Sequence, residues 1–140
     1  MSPSMNFTIW MSTVLLVPFG WHLGTVYGFW GVAPATRTEL FVRIGVIVVL
    51  FIIASIVTAI ISASRSGEEE FEPDEREKQI IQKAERNGYF FLSCGLVYLM
   101  WVVFAPMSPM QIANAIIAII CLGEVVKIVS GLVYLRTGLG

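Results

Sequence analysis

The sequence predicts an all-α integral membrane protein, a four-helix bundle made of two antiparallel hairpins with a cytoplasmic helical extension before the third span. Three observations predict it. Hydrophobic residues make up 56% of the 140 and charged residues 14%, against about 45–50% and about 25% in a soluble domain. A chain this short has too much surface for its volume to hide such an apolar excess from water. The charges are also segregated: thirteen of nineteen fall in residues 64–88, which leaves only Arg37, Glu39, Arg43, Glu124, Lys127 and Arg136 elsewhere. Two apolar blocks joined by one polar loop exclude a soluble monomeric enzyme. A net charge of −1, without a basic patch to neutralise phosphates, argues against a nucleic-acid partner.

About 20 apolar residues cross a bilayer as a helix. Ile44–Ala63 is such a run with no charge in it. The segment 7–30 is long enough but is interrupted by Pro18 and His22. The segment 89–107 is short and rich in aromatics, and 112–135 carries Glu124 and Lys127 inside it. These are read as four spans of a single transmembrane domain over residues 1–140, with the polar cytoplasmic loop at 64–88. Gly31–Glu39 and Pro106–Met110 are short connections, which makes each adjacent pair of spans an antiparallel hairpin. Residues 1–21 contain no Lys or Arg, so the first segment reads as a mature span and not as a signal peptide. With four spans, Arg65, Arg76, Lys78, Lys83, Arg86 and Arg136 share one side and Arg37 and Arg43 the other. That bias sets both termini in the cytoplasm.

Within the polar loop, Pro73 suits a first helical turn, and Asp74, Glu75 and Glu77 suit a helix N-terminus. Asp74 and Lys78 stand four apart with the acid first, the favourable order. Ile80, Ile81 and Ala84 form a narrow apolar strip. The expected element is a helix from about Pro73 toward the third span, with Asn87-Gly88 as a kink. Asp74, Glu75, Arg76, Lys78, Lys83 and Arg86 are its candidate interaction residues.

Asp74–Ala84, D-E-R-E-K-Q-I-I-Q-K-A, ahead of an aromatic-rich span, resembles the D-E-R-x-x-x-I-x-x-K-A segment of a family of small four-span prokaryotic membrane proteins of unknown function. Glu124-Val-Val-Lys127 followed by Tyr134, Arg136 and Gly138 is similar to that family's closing pattern. The resemblance covers roughly residues 74–138. It implies the four-span fold and a bacterial or archaeal inner membrane, and it implies no catalytic residue. The acidic run Glu68–Glu72 is heavier than the motif needs.

An ionisable group inside lipid is a functional candidate by default. Glu124 lies eleven residues before Leu135, about 16 Å deep at the helical rise, and Lys127 lies about 12 Å deep. At i, i+3 they share a helix face. The pair reads either as a proton or cation site or as a self-neutralising structural pair. His22 is the only histidine. It lies about 22 Å from the cytoplasmic end of its span, nearer the outer face, as a relay residue or an interfacial one. A His22–Glu124 contact would need about 6 Å of vertical slack on the same rise. Gly20, Gly24 and Gly28, each four apart, present a face on which another helix can pack closely, inside the bundle or in a homodimer. Cys94 and Cys121, about 8 Å and about 21 Å from the cytoplasmic side, differ too much in depth for a disulfide.

No P-loop, G-x-S-x-G, H-E-x-x-H or Cys/His cluster occurs, so neither an enzyme nor a cofactor is expected. The expected partners are the lipid bilayer and another membrane protein or a second copy of the chain. The leading expectation is a non-enzymatic accessory or regulatory protein that binds through its bundle face and acidic cytoplasmic helix. The alternatives are a small dimeric proton-coupled transporter using Glu124, or a protein that binds lipid or another hydrophobic ligand near Pro18 and His22.

Overall fold

A computed structural model of the chain describes residues 3–65, 74–102 and 104–137. The described residues are all-helical, with no strand: α1 spans Pro3–Val26, α2 Arg37–Arg65, α3 Glu75–Val102 and α4 Pro109–Thr137. The expected helix start at Pro73, the acidic run Glu68–Glu72 and Gly138 lie outside the described residues.

Local chemistry sets the helix ends. α1 stops where Gly28 turns to φ +78°. The Phe29 amide donates back to the Gly24 carbonyl at 2.9 Å, and the Gly28 amide donates to the Thr25 carbonyl at 3.4 Å. This is the paired closure of a helix by a left-handed glycine, a conformation that costs glycine little. α2 starts on a capping box. Thr36 Oγ1 accepts from the Glu39 amide, and the Glu39 carboxylate accepts from the Ala35 amide. Ser108 and Gln111 repeat the device ahead of α4, with Pro109 as its first residue. Proline suits that position because its missing N–H has no partner there anyway. The Asp74 carboxylate accepts from the Glu75 amide at the start of α3.

The most extensive packing is α3 against α4, followed by α1 against α4 and α1 against α2. The buried apolar side chains are few: Leu40, Ile47, Ile80, Ala84, Leu99, Ile117 and Cys121. α2 buries only Leu40 and Ile47 among its described side chains, and its Val, Leu and Ile side chains from Val46 to Ile61 are largely exposed. Surface of that kind is far beyond what a monomer in water tolerates. Asn6–Val26, Arg37–Ile61 and Pro109–Thr137 are long and apolar enough to cross a membrane.

The helices depart from the expected spans in four places. α1 ends at Val26 and not at residue 30, because Gly28 closes it. α2 begins seven residues before Ile44, because its capping box is at Thr36. α3 is continuous through Asn87-Gly88, so no break separates an extension from a span. Its apolar part, Tyr89–Val102, has fourteen residues, about 21 Å of rise, and α3 is not among the helices apolar enough to cross. α4 extends beyond 112–135 at both ends.

The charged half of α3 is packed against its neighbours. Ile80 is 1% exposed and Ala84 5%. They line an apolar pocket with Ile9 of α1 and Ile128, Gly131 and Leu132 of α4. Lys78 ion-pairs with Glu75 at 3.2 Å, not with the expected Asp74.

Small residues allow close approach between helices, though mainly not the ones expected. A Cβ on Gly88 would come within 3.2 Å of the Gly123 carbonyl oxygen, and one on Gly95 would collide with the Ile119 side chain. In the Gly20–Gly24–Gly28 series, Gly20 faces open space, Gly24 is covered by the Trp30 ring, and Gly28 belongs to the turn. The chain folds its own indole onto the glycine face, and the Trp30 Nε1 donates to the Trp21 carbonyl at 3.2 Å.

The contacts Ala84–Gly131, Gly88–Gly123 and Gly95–Ile119 fix the register of α3 on α4. That register sets Cys94 near the level of Cys121, which corrects the expected depth mismatch. Both thiols are free, Cys94 exposed and Cys121 buried. They differ in the direction they face, not in depth.

Candidate functional site

Three polar side chains are buried in the described chain, Ser12, His22 and Thr25, and all belong to α1. A buried polar group needs a hydrogen-bond partner, and each of these reaches a different one.

Ser12 Oγ donates to Glu124 Oε2 of α4 at 2.7 Å. The same oxygen takes Lys127 Nζ at 2.5 Å. One carboxylate oxygen therefore joins a hydroxyl from α1 and an ammonium one turn along α4. The two charged side chains are 22% and 23% exposed, so the pair is sheltered but still reached from outside. The opening is a cleft between α3 and α4 lined by Glu85, Gly88, Tyr89, Leu92, Gly123, Glu124 and Lys127. The two glycines at the close approach leave room there that any Cβ would fill.

His22 is fully buried. Its Nε2 is 3.0 Å from Asn114 Oδ1 of α4. With the amide oxygen accepting, the ring proton is on Nε2, and Nδ1 is left buried without a partner. Ser12 and His22 are ten residues apart on α1, as Asn114 and Glu124 are on α4. The two polar rungs are therefore about 15 Å apart at the helical rise. The structure does not bring His22 to Glu124; each meets a neutral residue that sequence reasoning passes over.

Thr25 Oγ1 donates to the His22 carbonyl at 2.7 Å and accepts from Arg43 Nη1 at 2.8 Å. Arg43 also donates to the Val32 carbonyl and lies 5.4 Å over the Trp21 ring. This guanidinium of α2 ties together the end of α1, the connecting loop and its own helix. A polar seam also joins α3 to α4. Asn87 Nδ2 is 2.9 Å from the Tyr134 hydroxyl and 3.2 Å from the Ser130 hydroxyl, and the Lys83 ammonium lies 5.9 Å from the Tyr134 ring.

The polar half of α3 sorts its charges. Arg76, Gln79, Lys83 and Arg86 recur at three- and four-residue spacing and share one side of the helix. Asp74, Glu77 and Glu85 occupy the other side, where Glu85 lines the cleft beside Glu124 and Lys127. Ile80 and Ala84 run between the two. The polar half of α3 carries three acids and four bases, and winding it into a helix gathers Arg76, Lys83 and Arg86 on one flank.

Among the described residues no three His, Cys, Asp or Glu side chains cluster as a metal site requires. No protein-family model, curated protein or solved structure matches the chain.

Proposed function

We propose that the chain is a non-enzymatic, multi-pass membrane protein of accessory or regulatory type that docks another protein through the charged half of α3 and the adjoining bundle face. In this reading all four helices cross a prokaryotic inner membrane as two antiparallel hairpins, with both termini and the charged segment in the cytoplasm. Asp74–Ala84, which resembles a small four-span family, belongs to this reading. The observation that carries it is the burial of Ile80 and Ala84 within the most charged stretch of the chain. A solvated tail would leave them exposed. Here they fasten the helix to α1 and α4, so Asp74, Arg76, Glu77, Lys83, Glu85 and Arg86 stand in a fixed pattern. Fixed charges give partner selectivity, because mismatched charge is costly while matched charge steers association.

The test is native mass spectrometry of the full chain extracted gently from its own membrane. A second polypeptide at constant stoichiometry is expected, and it is lost when Glu77 and Glu85 are changed to Lys. Bare monomers or homodimers from an otherwise folded protein refute the docking reading.

One observation favours a second reading. Glu124 lines an open cleft beside Lys127 and Glu85, as the coupling carboxylate of a dimeric proton-coupled transporter would. Glu124→Gln abolishes proton-coupled flux in vesicles if this reading holds, and undiminished flux excludes it.

A further inference from the structure

We infer that the basic flank of α3 is a binding face for the phosphate headgroup of an anionic phospholipid, with the acyl chains lying along the aromatic continuation of the same face. The inference rests on the reading that this chain resides in a bilayer.

The first observation is charge complementarity. Arg76 and Arg86 are exposed and make no ion pair among the described residues. Lys83, between them, is held over Tyr134. Gln79, Gln82, Lys83 and Arg86 line one shallow depression on the helix surface. Guanidinium and amide N–H groups are the donors that a phosphodiester needs, and an arginine fork presents two of them in parallel. No acid lines this depression, and Glu75, four residues before Gln79, is the one acid on its side of the helix. Glu77 and Glu85 lie on the opposite flank, and Glu75 is tied to Lys78.

The second observation is the apolar half of the same face. From Arg86 the stripe continues at helical spacing through Phe90, Val97 and Trp101, which are 72%, 67% and 77% exposed. Cations at one end and bare aromatic and aliphatic side chains at the other match an amphiphile, with its phosphate at Lys83 and Arg86 and its chains beside Phe90 and Trp101. A nucleic acid or an acidic protein segment would satisfy the cations and leave those three apolar side chains without a partner. Juxtamembrane bases in this arrangement are the general signature of anionic-lipid recognition.

The test is native mass spectrometry of the full chain in detergent, with dioleoylphosphatidylglycerol or dioleoylphosphatidylcholine added as the probe. Each nearby base contributes about fivefold to anionic-lipid affinity. The wild-type chain is therefore expected to retain phosphatidylglycerol at least about tenfold better than phosphatidylcholine. Arg76→Gln/Lys83→Gln/Arg86→Gln removes the preference. Arg76→Gln/Arg86→Gln, which leaves Lys83 on Tyr134, removes most of it. Glu77→Gln/Glu85→Gln keeps it. Equal retention of the two lipids by the wild type overturns the inference, as does a preference that survives the triple variant. Loss of a bound polypeptide in the triple variant, without any lipid preference, assigns the face to an acidic protein and also overturns it. Alkaline extraction of the same chain from vesicles tests the underlying reading separately. Release into the wash refutes bilayer residence, whereas retention without lipid preference refutes only the headgroup face.

Discussion

Glu124 is bonded to Ser12 across α4 and α1 through the same carboxylate oxygen that takes Lys127. The interaction joins two helices and two charges at one atom, so its parts are not independent. In reversible unfolding from detergent micelles, Ser12→Ala and Glu124→Met should show a coupling of about 0.6–1.7 kcal/mol. Lys127→Met should cost more than Ser12→Ala, because it leaves a sheltered carboxylate without its counter-charge. Zero coupling in the double-mutant cycle would refute the shared-oxygen arrangement.

The His22–Asn114 rung predicts an asymmetry. Asn114→Leu alone strands the buried Nε2 proton and should cost about 1–3 kcal/mol. Adding His22→Leu removes the stranded group and should recover most of that loss. The check is the melting midpoint of the single and double variants, and a double variant worse than the sum of the singles contradicts the pairing.

Gly24 and Gly20 should respond with opposite sign. A Cβ at Gly20 meets nothing within 4 Å, whereas one at Gly24 would run into the Trp30 ring. Gly20→Ala should stabilise α1 by up to about 1 kcal/mol through helix propensity. Gly24→Ala should destabilise by about 1–3 kcal/mol through overpacking. Introducing Trp30→Ala should reverse that penalty. If Gly24→Ala is as benign as Gly20→Ala, the indole does not cover the glycine.

Gly95 and Gly88 differ in what a methyl group would strike. At Gly95 it meets the Ile119 side chain, and at Gly88 it meets the Gly123 backbone. Both alanine variants should loosen α3 from α4, yet only Gly95→Ala should be rescued by Ile119→Ala. Rescue is measured as recovery of the denaturation midpoint.

Ile80 separates a packed helix from a solvated tail. At 1% exposure, Ile80→Ala should cost about 2–5 kcal/mol, the range for a well-buried aliphatic side chain. Arg76→Ala, exposed on the same helix, should change stability by less than about 0.5 kcal/mol. Equal, small effects would make the charged half of α3 an appendage.

The helical apolar blocks are open to view in the sequence, because hydropathy acts residue by residue and needs no partner. The helix boundaries are legible too, in local signals that a count of apolar residues overlooks. Thr36-x-x-Glu39 and Ser108-Pro109-x-Gln111 are capping boxes, and Gly28 comes just after the last turn of α1 as a closing glycine. Its place in a run of glycines spaced by four disguises it as a helix-packing residue. Glu124 and Lys127 are legible as a pair because their contact lies within one helix. Ser12 and Asn114 are not, because nothing local marks an ordinary serine or asparagine as the partner of a residue about a hundred positions away. Depth counted from span ends fails for the cysteines, since Tyr89 and Leu135, taken as the two cytoplasmic ends, are not level: Gly88, next to Tyr89, packs on Gly123, twelve residues before Leu135. The basic flank of α3 is hidden when residues 64–88 are counted together, because the acids at 68–72 mask a helical segment with four bases and three acids.

The two rungs between α1 and α4 act together as a vernier. Apolar surfaces slide past one another at little cost, since one turn of Leu, Ile and Val resembles the next. Ser12–Glu124 and His22–Asn114 share one ten-residue interval, so both close only at a single offset. A slip of one turn, about 5.4 Å, would open both at once and strand Ser12, His22 and Asn114, with only Glu124 keeping a partner in Lys127. A greasy interface that would otherwise permit several alignments is thereby given one, and a bound partner that shifts α1 must break both rungs together.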